Sequence, residues 1–169
     1  MSEFNISTPE ALHGDPFTMI GKEWMLVTAM KEDGSVNTMT ASWGGVGILW
    51  NKKVAFVFIR PQRYTKEFID AQEHLTLSFY DESHRKELAY FGKASGRDED
   101  KIEKAGYHTI KENGYAYFSE ANTVLKCKKL YAQYLDKECF LEKDLIEKNY
   151  PQNDFHMMYV VEIENVLVK

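Results

Sequence analysis

Residues Lys53–Ile59 read KVAFVFI, a nearly continuous apolar run of strand length. Such a run fits a strand buried on both sides, near the centre of a barrel, better than a surface element. Pro61 sets its end, because proline brings no N–H to a strand ladder and disfavours helix at Arg60. The neighbouring segments repeat the theme. Trp24–Met30 (WMLVTAM) is a second short apolar run, closed by the Asp33-Gly34 turn signal. Asn37–Trp43 (NTMTASW) reads as its return strand.

Further on, Tyr64–Gln72 reads as a short helix with Thr65 as its cap. His74–Tyr80 alternates Leu75, Leu77 and Phe79 with polar residues, the period of a half-buried strand. Ser83–Phe91 and Asp98–Ala105 read as helices. Tyr115–Phe118, Thr123–Cys127 and Leu130–Leu135 are β-like, and a bend at Lys128-Lys129 suggests a hairpin. Lys143–Asn149 is a short helix stopped before Pro151, and Phe155–Val168 is a long closing strand. No repeat, linker or alternating β–α pattern interrupts this order. The expectation is one domain over residues 1–169, mainly β, an antiparallel barrel with short peripheral helices.

Composition narrows the function. The 169 residues carry a formal net charge of −5 and no dense basic run, which argues against nucleic-acid or anionic-membrane binding. Aromatic residues make up 14%, enough for a β-rich core or for a site holding a planar ligand. The two cysteines, Cys127 and Cys139, form no CxxC, and no histidine is spaced with them for a metal. Reduced thiols in the cytoplasm are expected, with no disulfide and no metal site. The polar N-terminus lacks the apolar core of a signal peptide, and no apolar run approaches membrane-spanning length.

Three segments can carry chemistry. Thr38–Gly45 (TMTASWGG) sets small hydroxyl and apolar residues before a tryptophan and two glycines. It is either a strand end with a packed ring or bare backbone open to the edge of a planar heterocycle. Arg60–Thr65 (RPQRYT) places two guanidiniums and a hydroxyl at a helix start, which suits either a phosphate or a solvated loop. Ser95–Lys101 (SGRDEDK) resembles a capping box from Ser95 to Asp98, and it also offers hydroxyl, backbone and guanidinium to a phosphate. His156 is a strand-edge residue or a ligand contact. Cys127 reads as core. No nucleophile–base pair assembles, so no catalytic side chain is assigned.

Taken together, NTMTASWGG (Asn37–Gly45), LWNK (Leu49–Lys52), VAFVFIRPQRYTKEFI (Val54–Ile69), SGRDEDK, CKKLYAQ (Cys127–Gln133) and FHMMYVVEIENVL (Phe155–Leu167) resemble the flavin reductase-like, FMN-binding split-barrel family, nearest its flavoredoxin-like members. The resemblance implies a homodimeric split β-barrel holding FMN near the subunit interface. Thr40, Ala41, Ser42 and Trp43 would line the isoalloxazine ring. Arg60, Gln62, Arg63, Tyr64 and Thr65 would hold the ribityl-phosphate end, with Ser95, Gly96, Arg97 and Lys101 closing over it. His156 falls where family reductases carry a nicotinamide-contacting histidine. The implied activity is NAD(P)H:flavin reduction or flavoredoxin-type electron carriage, with a redox protein as partner; the alternative is a non-catalytic flavin-binding module.

Overall fold

The computed structural model describes residues 3–169. Its strands are β1 (Asn5–Ser7), β2 (Met25–Met30), β3 (Val36–Ala41), β4 (Gly44–Leu49), β5 (Lys52–Ile59), β6 (His74–Phe79), β7 (Thr109–Glu112), β8 (Tyr115–Phe118), β9 (Thr123–Tyr134) and β10 (Met157–Val168). The helices are α1 (Pro16–Thr18), α2 (Tyr64–Ala71), α3 (Arg85–Lys93), α4 (Lys101–Ala105) and α5 (Asp144–Asn149). The main sheet runs β3-β2-β6-β9-β10-β5-β4, with β1 added to β10, while β7 and β8 form a separate hairpin. Every pairing is antiparallel.

Chain connectivity forces this sheet to curl. β3 and β4 lie at opposite ends of the order, yet only Ser42 and Trp43 separate them. Laid flat, the two strands would stand about 29 Å apart at the usual ~4.8 Å spacing. Two residues and their flanking bonds reach about 10 Å. The ends must therefore meet, and the chain crosses the seam as one bent course. The result is the split antiparallel barrel with peripheral helices that the sequence leads one to expect.

Gly44 makes the crossing possible. Its φ is +153°, and a Cβ there would sit 2.7 Å from the Phe56 carbonyl oxygen. β4 returns to β5 through Trp50-Asn51, both left-handed (φ 53° and 57°), the two-residue loop whose twist suits a hairpin.

β2 is buried on both faces, which explains its unbroken apolar run. Met25, Val27 and Ala29 join the barrel interior with Val57, Ile59, Leu75, Leu77, Leu125 and Tyr159. Leu26 faces outward into a second core with Leu88, Phe91, Tyr107, Phe118 and Val124, where α3 and the β8 strand cover the sheet.

Four sequence expectations need correction. The return strand ends at Ala41 rather than Trp43, and Gly44–Leu49 is a strand of its own. Thr123–Tyr134 is one strand rather than a hairpin. β9 pairs with β10 throughout, and a register shift at Val160/Val161 absorbs the extra residue near Lys128-Lys129 as a bulge. Thr65 does not cap α2: Arg63 holds the cap position without a side-chain bond, and Thr65 lies buried in the first turn. Ser95 does not cap a helix from residue 98. α4 starts at Lys101, and the Asp100 carboxylate accepts from the Glu103 N–H at 3.0 Å. An aspartate nearer the turn displaced the serine, whose hydroxyl instead accepts from the Arg97 N–H at 3.2 Å. Among the described residues no helix is long and apolar enough to cross a membrane.

Candidate functional site

Where β3 leaves the sheet, its last residues, the β5 end and the start of β10 enclose a cleft of about 240 Å³. Met39, Thr40, Ala41, Ser42, Trp43, Phe58, Arg60, Arg63 and His156 line it. Trp43 is 47% exposed, an unusual setting for a tryptophan, and its ring lies 5.1 Å from the His156 ring. The Thr40 hydroxyl donates to the Leu88 carbonyl at 2.5 Å. That bond ties β3 to α3 and leaves the Ser42 and Trp43 backbone as the open edge.

A second cleft of about 160 Å³ adjoins the first, sharing Met39 and Arg63. Its lining includes Asn37, Gln62, Tyr64, Thr65, Lys93, Ser95, Gly96 and Lys101. Two cations define its chemistry. The Lys101 ammonium is buried (3% exposed) and donates to the Phe91 and Ala94 carbonyls at 3.0 and 2.8 Å. The Arg63 guanidinium donates to the Gly92 carbonyl at 3.0 Å. These carbonyls belong to the last turn of α3 and the residue after it. The end of that helix, which is short of donors and partially negative, therefore holds both cations. Neither has a carboxylate partner among the described residues. Burial, and secondarily the Arg63 charge, push the Lys101 pKa down to about 8; burial alone lowers that of Arg63. Lys101 retains one of its three donors and Arg63 most of its five.

Hydroxyls and backbone complete the second cleft. The Asn37 amide donates to Thr65 Oγ1 at 2.9 Å, which leaves the Thr65 proton free to donate elsewhere. Gly96 packs so closely that a Cβ would collide with Asn37 Oδ1 and press on the Tyr64 ring. The first turn of α2 opens here without a side-chain cap.

Arg60 and Arg97 stand elsewhere. The Arg60 guanidinium binds the Asp154 carboxylate at 2.8 Å and the Asn149 carbonyl at 3.0 Å, and it covers the Tyr150 ring at 5.1 Å. Gln62 joins the same Asp154 oxygen at 2.9 Å. With Arg60, it holds Asp154 below the usual carboxylate range. Arg60 thus lies at the Trp43 end of the site, pinning the segment before β10. Arg97 lies on the rim, against the Tyr64 ring, paired with Glu67 and donating to the Gln62 carbonyl.

His156 is 7% exposed and its Nδ1 is 2.7 Å from the Tyr150 hydroxyl. Burial first, then the Arg60 charge, lower its pKa to about 4, so the ring is neutral at physiological pH.

Asn37, Met39, Phe58 and Tyr150 escaped sequence reading. Period-two alternation back from Ala41 would have put Met39 and Asn37 on its face; nothing in the sequence marks Tyr150. A larger cleft, about 600 Å³, lies between residues 18–23 and 80–88. There Arg85 is spent on the Trp24 ring and the Lys22 and Glu23 carbonyls, and Glu23, Asp81 and Glu82 stand beside it. It holds no comparable pair of cations without a carboxylate partner.

A split barrel whose seam carries an open, tryptophan-edged cleft and an adjoining cationic one defines a class of ligand-binding barrels. Residues 19–169 match the model of the flavin reductase like domain, and the chain belongs to that family. Solved structures that share its fold include two flavoredoxins and a flavin reductase. The flavoredoxin of Methanosarcina acetivorans superposes with a TM-score of 0.68 at 18% identity, covering 87% of this chain and 68% of that one. The flavoredoxin of Desulfovibrio vulgaris (Miyazaki F) gives 0.68 at 21%, covering 86% and 69%. The flavin reductase of the Pseudomonas putida S12 styrene monooxygenase gives 0.60 at 14%, covering 85% and 77%. A sequence comparison with curated proteins finds no match. Membership in this family gives the chain a flavin-related redox function.

Proposed function

We propose that the chain is an FMN-dependent oxidoreductase, an NAD(P)H:flavin reductase or a flavoredoxin-type electron carrier. The observation that carries this reading is the pairing of a buried Lys101 ammonium with a half-buried Arg63 guanidinium, without a carboxylate between them. A buried charge is costly unless matched, and a phosphomonoester at this position supplies the match. Thr65, Ser95 and the Gly96 backbone add donors around it, with Tyr64 and the Gln62 backbone shaping the wall and Arg97 closing the rim. The adjoining cleft then receives the isoalloxazine ring against Thr40, Ala41, Ser42 and Trp43, with Arg60 at its far edge.

A flavin held by these residues would supply the redox chemistry, hydride acceptance and electron transfer. The residues of this chain bind and orient: the cations fix one end, the β3 seam presents backbone to the other, and His156 faces the space beside Trp43. No side chain is needed as acid or base. The apolar exposed surface of Ile48, Trp50 and Tyr131, on the β4 side of the barrel, fits a second copy of the chain as its cover, giving a homodimer.

Steady-state NADH and NADPH oxidation by the FMN-loaded protein, with and without excess FMN, tests the reading. Turnover identifies a reductase. Reduction of the bound flavin only by a partner protein identifies a carrier. A preparation that takes up no FMN at saturating concentration overturns both.

A further inference from the structure

We propose that Tyr150 is a positioning residue that fixes the His156 imidazole with its proton on Nε2, so that the Trp43 cleft offers a neutral donor to a carbonyl oxygen of an incoming planar ligand. This rests on the reading of that cleft given above.

The Tyr150 side chain is buried, and Nδ1 of His156, at 2.7 Å, is the one hydrogen-bond partner of its hydroxyl among the described residues. If Nδ1 carried the proton, it would donate to the phenol oxygen and the phenol proton would be left in a buried setting with no acceptor, which is costly. If the phenol donates to Nδ1, every polar atom on that side is used. The imidazole proton then resides on Nε2. No hydrogen bond within the described chain engages Nε2, and the ring lines the cleft beside Trp43.

The surroundings keep this arrangement neutral and rigid. The titratable and charged groups facing the ring are Tyr150, Arg60 and Asp154. Asp154 is already taken by Arg60 and Gln62 at 2.8 and 2.9 Å, so it does not draw a second proton onto the imidazole. Burial and the Arg60 charge both disfavour the imidazolium. Tyr150 is itself fixed: its N–H donates to the Ile146 carbonyl at 2.7 Å, and its ring stacks on Phe155 at 4.7 Å under the Arg60 guanidinium. A single neutral N–H suits a carbonyl or carboxamide oxygen. An anionic group finds its better partners at Lys101 and Arg63.

The test pairs an NMR measurement with kinetics. Long-range 15N–1H correlation of the imidazole in the flavin-free chain is expected to show the Nε2–H form of His156 from pH 5 to 8. Tyr150→Phe keeps the stacked ring and is expected to give a mixture with Nδ1–H. In FMN-loaded Tyr150→Phe, KM for NADH is expected to rise about three- to tenfold, the range one neutral hydrogen bond supplies. The kcat should stay within about twofold and FMN affinity should be unchanged. His156→Gln, whose amide N–H approximates the Nε2 position, should preserve KM better than His156→Leu. A wild-type ring protonated on Nδ1, or a Tyr150→Phe ring still wholly Nε2–H, overturns the proposal. Because the tautomer is read without flavin, a failure of every form to bind FMN would strike the functional reading alone.

Discussion

Lys101 and Arg63 meet at the C-terminal end of α3, one donating to the Phe91 and Ala94 carbonyls and the other to that of Gly92. The helix end holds two like charges in place beside one another in one cleft, and it brings no formal negative charge of its own. An anion that enters this cleft finds its donors already aimed, which is the economy of a preorganised site.

Arg63→Ala and Lys101→Met should each weaken FMN binding by about 10- to 150-fold. A charge-assisted hydrogen bond contributes roughly 1.5–3 kcal/mol. Riboflavin, which lacks the phosphate, should lose little in either variant. Calorimetric titration with both ligands checks this.

The pH dependence of binding has a definite sign. Lys101 titrates near 8 in the free chain, below its ordinary 10.5. Between those values the folded chain holds fewer protons than the unfolded one, so this group favours folding more as pH rises through that window. Anion binding runs the other way. A phosphate needs the ammonium, so FMN affinity should fall as pH climbs through about 8. The decline should be absent in Lys101→Met.

Burial first, and then the Arg60 charge, depress the His156 pKa to about 4. Arg60→Met removes that charge and leaves Asp154 nearby, so the histidine should titrate at higher pH. NMR titration of the imidazole reads the change directly. The same variant should speed hydrogen exchange in residues 149–154, which Arg60 pins through Asn149 and Asp154.

Gly44→Ala places a Cβ against the Phe56 carbonyl at a φ of +153°. The expected cost is about 1–3 kcal/mol, a fall in thermal midpoint of roughly 2–12 °C. Trp43→Phe, by contrast, should leave stability nearly unchanged. It should remove most of the tryptophan quenching that FMN causes, since Trp24 and Trp50 lie outside both clefts.

Much of the barrel was legible because its signals are local. The β5 run and the alternation in β6 each need only neighbours in sequence. The failures arose where tertiary pairing decides. β9 stays one strand because β10 pairs along its whole length, bulge included, and no window of its own residues shows that. α4 starts late because Asp100 outcompetes Ser95 for the cap. At the site, TASW, Arg63, Thr65, Ser95, Gly96 and Lys101 line the two clefts as a set. Motif reading could not tell that Arg60 is committed to Asp154 or Arg97 to Glu67, since these partners lie 94 and 30 residues away. Tyr150 stayed hidden because its role exists only through its contact with His156.

The most direct test is a titration of the flavin-free protein with FMN and with riboflavin under the same conditions near neutral pH. Matching a phosphate to Lys101 and Arg63 predicts saturable binding of FMN at least about 100-fold tighter than riboflavin, the worth of two charge-assisted contacts at their lower bound. Equal affinity for the two, or no binding of either, would contradict it.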